Sequence, residues 1–213
     1  MPSRAEQPPP VFISGRLWLD FINTDDLRLG VRVDSIATFE AFVAWLEAAQ
    51  VIDLERAALL RRRAAEQPSG ATAALVETRR VRAMLRQLAE QGRGERGAQV
   101  RAQTVEEINR ILGRSVGTRR LEPTNADSYV RSFVPVGDAF GGLVIPIIES
   151  AVDSLVRGEL PRIRNCAGRR CPRYFADDTK SKTRRWCEMK TCGNRAKAAR
   201  SRAAGRKTKD GRN

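Results

Sequence analysis

The four cysteines of this chain fall in two identical steps, Cys166 to Cys171 and Cys187 to Cys192, and the chain has no histidine. Zinc takes four thiolate or imidazole ligands in a tetrahedron, and two short loops giving two sulfurs each can supply them. Without histidine such a site is all-cysteine. A closed shell of four sulfurs leaves no position for water or substrate, so the metal would brace structure and do no chemistry. Two other readings fit the same letters: a pair of disulfides, and four unrelated buried thiols. Disulfides belong to secreted chains, and Met1 to Pro10 is polar and proline-rich, without the apolar segment of a signal peptide. One structural Zn2+ held by Cys166, Cys171, Cys187 and Cys192 is therefore the leading reading, with the other two left open.

The formal charge of +14 is concentrated at one end. Residues 1–161 hold 21 basic and 21 acidic residues, while residues 162–213 hold 18 basic residues against Asp177, Asp178, Glu188 and Asp210. Four thiolates around Zn2+ would lower the local surplus by about two charges. It would remain strongly cationic. Such asymmetry points to a polyanionic partner, of which nucleic acid is the commonest. A membrane anchor would need a large apolar face opposite the charge, and residues 193–213 offer only scattered alanines. No membrane partner is expected.

With 213 residues, 41% of them hydrophobic, the chain can build one ordinary core plus a small module. The longest apolar stretch, Leu143 to Ile148, contains Pro146 and soon meets Glu149, far short of a membrane span. A cytoplasmic, nucleoid-associated protein is expected. Val11 to Asn23 offers Phe12, Trp18 and Phe21 as core anchors in a run that suits helix or strand. Asp34 reads as the N-cap of a helix with Ile36, Phe39, Phe42, Val43 and Leu46 on its apolar face, and Asp53 caps a second helix. Pro68-Ser69-Gly70 reads as a turn before a helix striped by Leu75, Thr78, Val81, Leu85 and Leu88. Thr104 and Glu107 read as a capping box. Arg119 to Pro123 and Tyr129 to Val136 have strand composition and read as a small hairpin or sheet, and a helix is expected from about Leu143 to Val156 with Pro146 in its first turn.

The predicted fold class is therefore α+β: a mostly helical N-terminal domain with a small sheet, followed by a treble-clef-like zinc finger at the C-terminus. The predicted boundaries are a disordered N-terminus at 1–10, the helical domain at 11–161, the finger at 162–204 and a disordered basic tail at 205–213. Gly193 to Ala204 is alanine-rich and basic, a helical composition. Its expected nucleic-acid contacts are Arg195, Lys197, Arg200 and Arg202, with Arg195 and Arg202 two turns apart on one face. Lys180, Lys182, Arg184 and Arg185 form a second candidate cluster before Trp186. Trp186 reads as a cover for the metal site, or as a partner for Arg184.

Particular strings carry a resemblance. RRWC at Arg184 to Cys187, Met189, and TCGNRAKAARSR from Thr191 to Arg202 resemble the CGNR zinc finger, named for the run Cys192 to Arg195. LDFINT at Leu19 to Thr24 and WLEAAQVI at Trp45 to Ile52 resemble the ABATE domain that usually precedes it. The resemblance implies a bacterial transcription regulator, zinc at the four cysteines, and DNA as the partner.

The leading functional expectation is a regulator that binds double-stranded DNA through the finger, its N-terminal domain forming a homodimer or sensing a small-molecule effector. The alternatives are RNA or ribosome association, and a small-molecule-binding protein or enzyme using the N-terminal domain. An enzyme is not expected, because no paired-carboxylate or glycine-loop signature appears. Asp20, Asn23 and Thr24, near Asp25 and Asp26, read as a ligand pocket or as caps of local turns.

Overall fold

The computed structural model describes residues 10–28, 30–90, 95–123, 129–137 and 140–210. Of the predicted N-terminal segment, residues 1–9 lie outside the described residues, as do 211–213 of the predicted tail.

The ambiguous run from Val11 to Asn23 contains one short helix, α1 (Leu17–Ile22). Six residues cannot hold a helix alone in water. Burial holds this one: Trp18, Leu19, Phe21 and Ile22 are all at 0% exposure. Full burial of each such side chain stabilises by roughly 1.5–3 kcal/mol. The Trp18 indole N–H donates to Ser154 Oγ at 3.0 Å, so its one polar group is satisfied. Phe12 differs from expectation. It is 42% exposed and lies against Trp45, with ring centroids 5.9 Å apart.

After α1 come two antiparallel strands that the sequence reading does not anticipate, β1 (Asp25–Arg28) and β2 (Val31–Asp34), with Asp25 opposite Asp34. Asp34 accordingly ends a strand and does not cap the next helix. Thr38 caps α2 (Phe39–Ala48), accepting from the Ala41 N–H at 3.1 Å. Asp34 instead takes a forked ion pair from Arg82, at 2.6 and 2.8 Å. Helix α3 (Leu54–Glu66) starts at Asp53 as predicted. Arg61 on α3 bridges back to Glu40 and Glu47 of α2.

The predicted turn at Pro68 is the first turn of α4 (Pro68–Glu90), where a proline's missing N–H costs nothing. Thr78, Val81, Leu85 and Leu88 on α4 are buried. Helix α5 (Glu95–Arg114) runs straight through the expected capping box. Thr104 is buried within it, and Glu107 pairs with Arg110 and Arg80. The predicted hairpin is present as β3 (Gly117–Pro123) and β4 (Tyr129–Pro135). Phe133 of β4 is buried between Gly117 and Gly142. A Cβ added at either would sit within 2.5 Å of its ring, and Gly142 also has a φ of +72°. Helix α6 (Ile145–Val156) follows with Pro146 in its first turn.

One hydrophobic core runs through α1, α2, α3, α4, α5 and α6, and reaches Ala176 in the C-terminal module. That module pairs β5 (Ile163–Asn165) antiparallel to β6 (Tyr174–Ala176) and ends in α7 (Asn194–Asp210). Residues 205–210, assigned to a disordered tail from sequence, continue α7. Gly205 costs only about 1 kcal/mol within a helix whose neighbours are strong helix formers. The fold is α+β as predicted: mostly helical, with three two-stranded sheets among the described residues.

Candidate metal centre and its basic surroundings

The strands β5 and β6 present the first cysteine pair at the tip of their hairpin. The Cys166 N–H donates to the Arg173 carbonyl at 2.9 Å, and the Cys171 N–H closes a turn on the Gly168 carbonyl at 3.0 Å. Gly168 lies under the sulfurs, where an added Cβ would sit 3.1 Å from Cys192 Sγ and 3.3 Å from Cys166 Sγ. The second pair flanks a π-turn, Met189–Gly193, that immediately precedes α7. Cys192 was expected in the first α-helical turn and sits in this wider one. A Cβ at Gly193 would fall 2.3 Å from Met189 Sδ, so a larger residue there would displace the exposed Met189 side chain.

These turns bring the four sulfurs within 4.8 Å of one another. Cys171 and Cys187 are 3.8 Å apart, and Cys187 and Cys192 are 3.7 Å apart. A tetrahedron with Zn–S bonds of about 2.3 Å has edges of about 3.8 Å, whereas a disulfide needs about 2.05 Å. The cysteines are therefore neither bridged nor unrelated, and their donor set fits Zn2+. The backbone N–H groups of Gly168 and Cys187 point at Cys166 Sγ from 3.4 and 3.3 Å. Hydrogen bonds from Cys171, Cys187 and these amides hold the Cys166 thiol well below its ordinary range. The neighbouring sulfur in turn pushes Cys171 up to about 12, and Cys187 is raised as well.

Phe175, at 0% exposure, and the half-buried Trp186 pack against the sulfurs. Trp186 is thus the cover. The cation it carries is Arg185, 5.4 Å from its ring, and not Arg184. Arg184 was expected to face nucleic acid and is turned inward. Its guanidinium lies 4.3 Å over Phe175 and donates to the carbonyls of Trp186, Cys187 and Ile13. With the Ala176 carbonyl also accepting, at 3.4 Å, a cation surrounded by four acceptor groups and a ring face is fixed structure. The other seven predicted contacts, Lys180, Lys182, Arg185, Arg195, Lys197, Arg200 and Arg202, are exposed and have no carboxylate partner among the described residues. Asn194 ties helix to turn by donating to the Lys190 carbonyl at 3.1 Å.

The cluster Asp20, Asn23 and Thr24 borders a void of only about 10 Å3, room for one water. Asp20 accepts from the Ile13 and Ser14 amides at 3.0 Å, and Thr24 accepts from Arg82 at 2.9 Å. Asn23 does something else. Its amide N–H donates to the Tyr174 carbonyl at 2.8 Å while its oxygen accepts the Tyr174 N–H at 2.9 Å, so it pairs with β6 as another strand would. These residues build structure and leave no space for a metabolite.

Sequence reasoning also missed the rest of this junction. Arg173 beside Cys171 forks onto the buried Asp26 of β1. Arg16 pairs with both Glu159 and Asp178. The Ser14 carbonyl takes the Ala176 N–H at 2.9 Å. Each partner is more than 140 residues away in sequence, and no local pattern signals it.

Fold and site together define a helical domain locked onto an all-cysteine metal-binding finger. The chain belongs to the ABATE family, described as "Putative stress-induced transcription regulator", which matches residues 15–158, and the CGNR zinc finger matches residues 162–204. No curated protein matches the chain. The finger holds one structural zinc. Neither family is an enzyme family. No helix among the described residues is long and apolar enough to cross a membrane.

Proposed function

We propose that this protein is a transcription regulator whose finger binds double-stranded DNA, with Cys166, Cys171, Cys187 and Cys192 as the four zinc ligands. In this reading residues 11–161 form the regulatory domain and residues from 162 onward form the DNA-binding one. The carrying observation is the set of seven exposed cations on the finger that have no carboxylate partner among the described residues, four of them on one helix. Elsewhere in the chain, basic and acidic residues balance, and many of its arginines have carboxylate partners. Unpaired cations on a metal-fixed base follow phosphates, and Arg195 and Arg202, about 10 Å apart along α7, span neighbouring phosphates of a groove.

The metal does no chemistry in this scheme. It fixes the two cysteine loops and, through Cys192, the start of α7. RNA is the weaker partner, because single-stranded recognition needs open aromatic platforms. Phe175 is buried, Tyr174 packs on the main core, and Trp186 covers the sulfurs. The N-terminal domain is assigned dimerisation or effector sensing. A cavity of about 390 Å3 between α4, the end of α5 and the loop before α6, lined by Glu77, Thr78, Ile111, Arg114, Phe140 and Leu143, is where a small molecule would sit.

Titration of duplex DNA at several salt concentrations tests this. Four phosphate contacts give a log–log slope of about −3.6, and Arg200→Ala with Arg202→Ala makes it shallower. A flat salt response would remove the finger from DNA.

A further inference from the structure

A groove of about 320 Å3 separates the β1–β2 hairpin of the N-terminal domain from the two cysteine loops. Four arginines line it. Arg173 is neutralised by Asp26, 3.0 Å away. Arg169, Arg170 and Arg195 are exposed and have no carboxylate partner among the described residues. They come from different places: two from the first cysteine loop, one from the first turn of α7. Zinc coordination is what would bring those places together.

Two backbone features show that the groove is built. Arg170 has a φ of +61°, a left-handed conformation that disfavours a side chain of its size. Glycine would fit that position without strain, whereas the arginine that stands there extends its side chain across the groove. Across the groove, Gly30 turns the hairpin with a φ of +87°, and a Cβ added there would lie 3.7 Å from Arg170 Nη1. The guanidinium thus reaches the hairpin turn, and Leu27 of β1, 40% exposed, completes that wall.

We propose that this groove seats a backbone phosphate of the bound DNA between Arg169, Arg170 and Arg195, with the N-terminal hairpin as its outer wall. The inference rests on the DNA-binding reading above and extends it: contact runs from α7 to the domain junction, so the N-terminal domain frames the nucleic acid directly. The competing role for these arginines is to offset the negative charge of the zinc thiolates, since Cys171 and Cys192 also line the groove.

The test uses the full chain with its zinc. Arg169→Gln with Arg170→Gln, and separately Leu27→Glu, are compared with Arg200→Ala/Arg202→Ala in duplex binding across salt and in zinc content by elemental analysis. Loss of the one phosphate contact flattens the salt slope by about 0.9 and weakens binding by up to about eightfold at 0.1 M salt. Leu27→Glu, which puts a carboxylate on the wall, weakens binding with no change in the finger itself. Zinc content stays at one equivalent in both. If the double glutamine variant keeps the wild-type slope while Arg200→Ala/Arg202→Ala loses it, the groove is overturned and the DNA reading stands. If its affinity falls only together with its zinc, the arginines serve the metal and the groove is likewise overturned. If the wild-type chain binds no duplex at low salt, both readings fall.

Discussion

The two parts of this molecule reach a fixed shape by opposite means. The N-terminal domain buries Trp18, Phe21, Phe42, Trp45 and, among the described residues, eighteen leucine, isoleucine and valine side chains in one continuous core. The finger's own cluster has four members, Cys166, Phe175, Cys187 and Cys192, with Ile13, Cys171 and Trp186 at its margin. A core that small cannot offset the entropy of ordering some forty residues. The metal takes over what burial cannot supply. Small cores held by metal are stiff where the ligands are and frayed elsewhere, which suits a surface whose task is to hold charges at set positions.

Removing the metal breaks the comparison most sharply. Structural zinc contributes roughly 10–16 kcal/mol in isolated fingers, comparable to the whole stability of an ordinary domain. Chelation, or Cys187→Ser at a sulfur with 0% exposure, is expected to abolish hydrogen-exchange protection across residues 163–202. The amides of α1, α2 and α4 should keep theirs. Equal loss in both regions would mean that the N-terminal core also depends on the ion.

Trp18→Ala probes the other side. It empties a fully enclosed site and leaves Ser154 Oγ without its donor, costing about 3–5 kcal/mol. Urea unfolding should shift by that amount, while a folded population still binds one zinc. The effect is smaller than chelation for the finger and larger than chelation for the N-terminal core. Reversal of that order would show that the two regions share a single stabilising source.

Legibility from sequence divides along the same line. The metal centre could be read from the chain because its ligands sit in two short local steps, and zinc geometry dictates the rest. The caps at Asp53, the stripe of α4 and the first-turn position of Pro146 were readable for the same reason: their physics is local. The β1–β2 hairpin was not, since Asp25 to Asp34 is charged and short and is held by Arg82 from α4. The supposed capping box at Thr104 lost to tertiary burial, which carried α5 past it. Arg184 and Arg185 are adjacent and chemically identical, yet one lies over Phe175 and the other is exposed over Trp186. Only the three-dimensional path of residues 13 and 175 decides between them. The LDFINT string was recognisable as a family feature, but its use as the strap between the two regions was not.

That strap supplies the finest test of how independent the two regions are. Glu159, at the end of the N-terminal domain, accepts a fork from Arg16 at 2.7 and 3.0 Å, and Arg16 also reaches Asp178 of the finger. The hydrogen bonds from Arg16 hold the Glu159 carboxyl below its ordinary value of 4.5, against the opposing effect of burial. A depressed carboxylate stabilises the folded state in full above its unfolded pKa, and the gain is lost as pH falls through the folded value. Glu159→Gln should therefore lower the melting temperature at neutral pH by a few degrees at most, as expected for about 1 kcal/mol in a chain of this length. Below pH 4 the wild type should converge on the variant. Acid also loosens zinc, but it does so in both proteins, so the difference between them isolates the ion pair. A gap that stays constant down to pH 3 would assign the effect to packing and not to the ion pair.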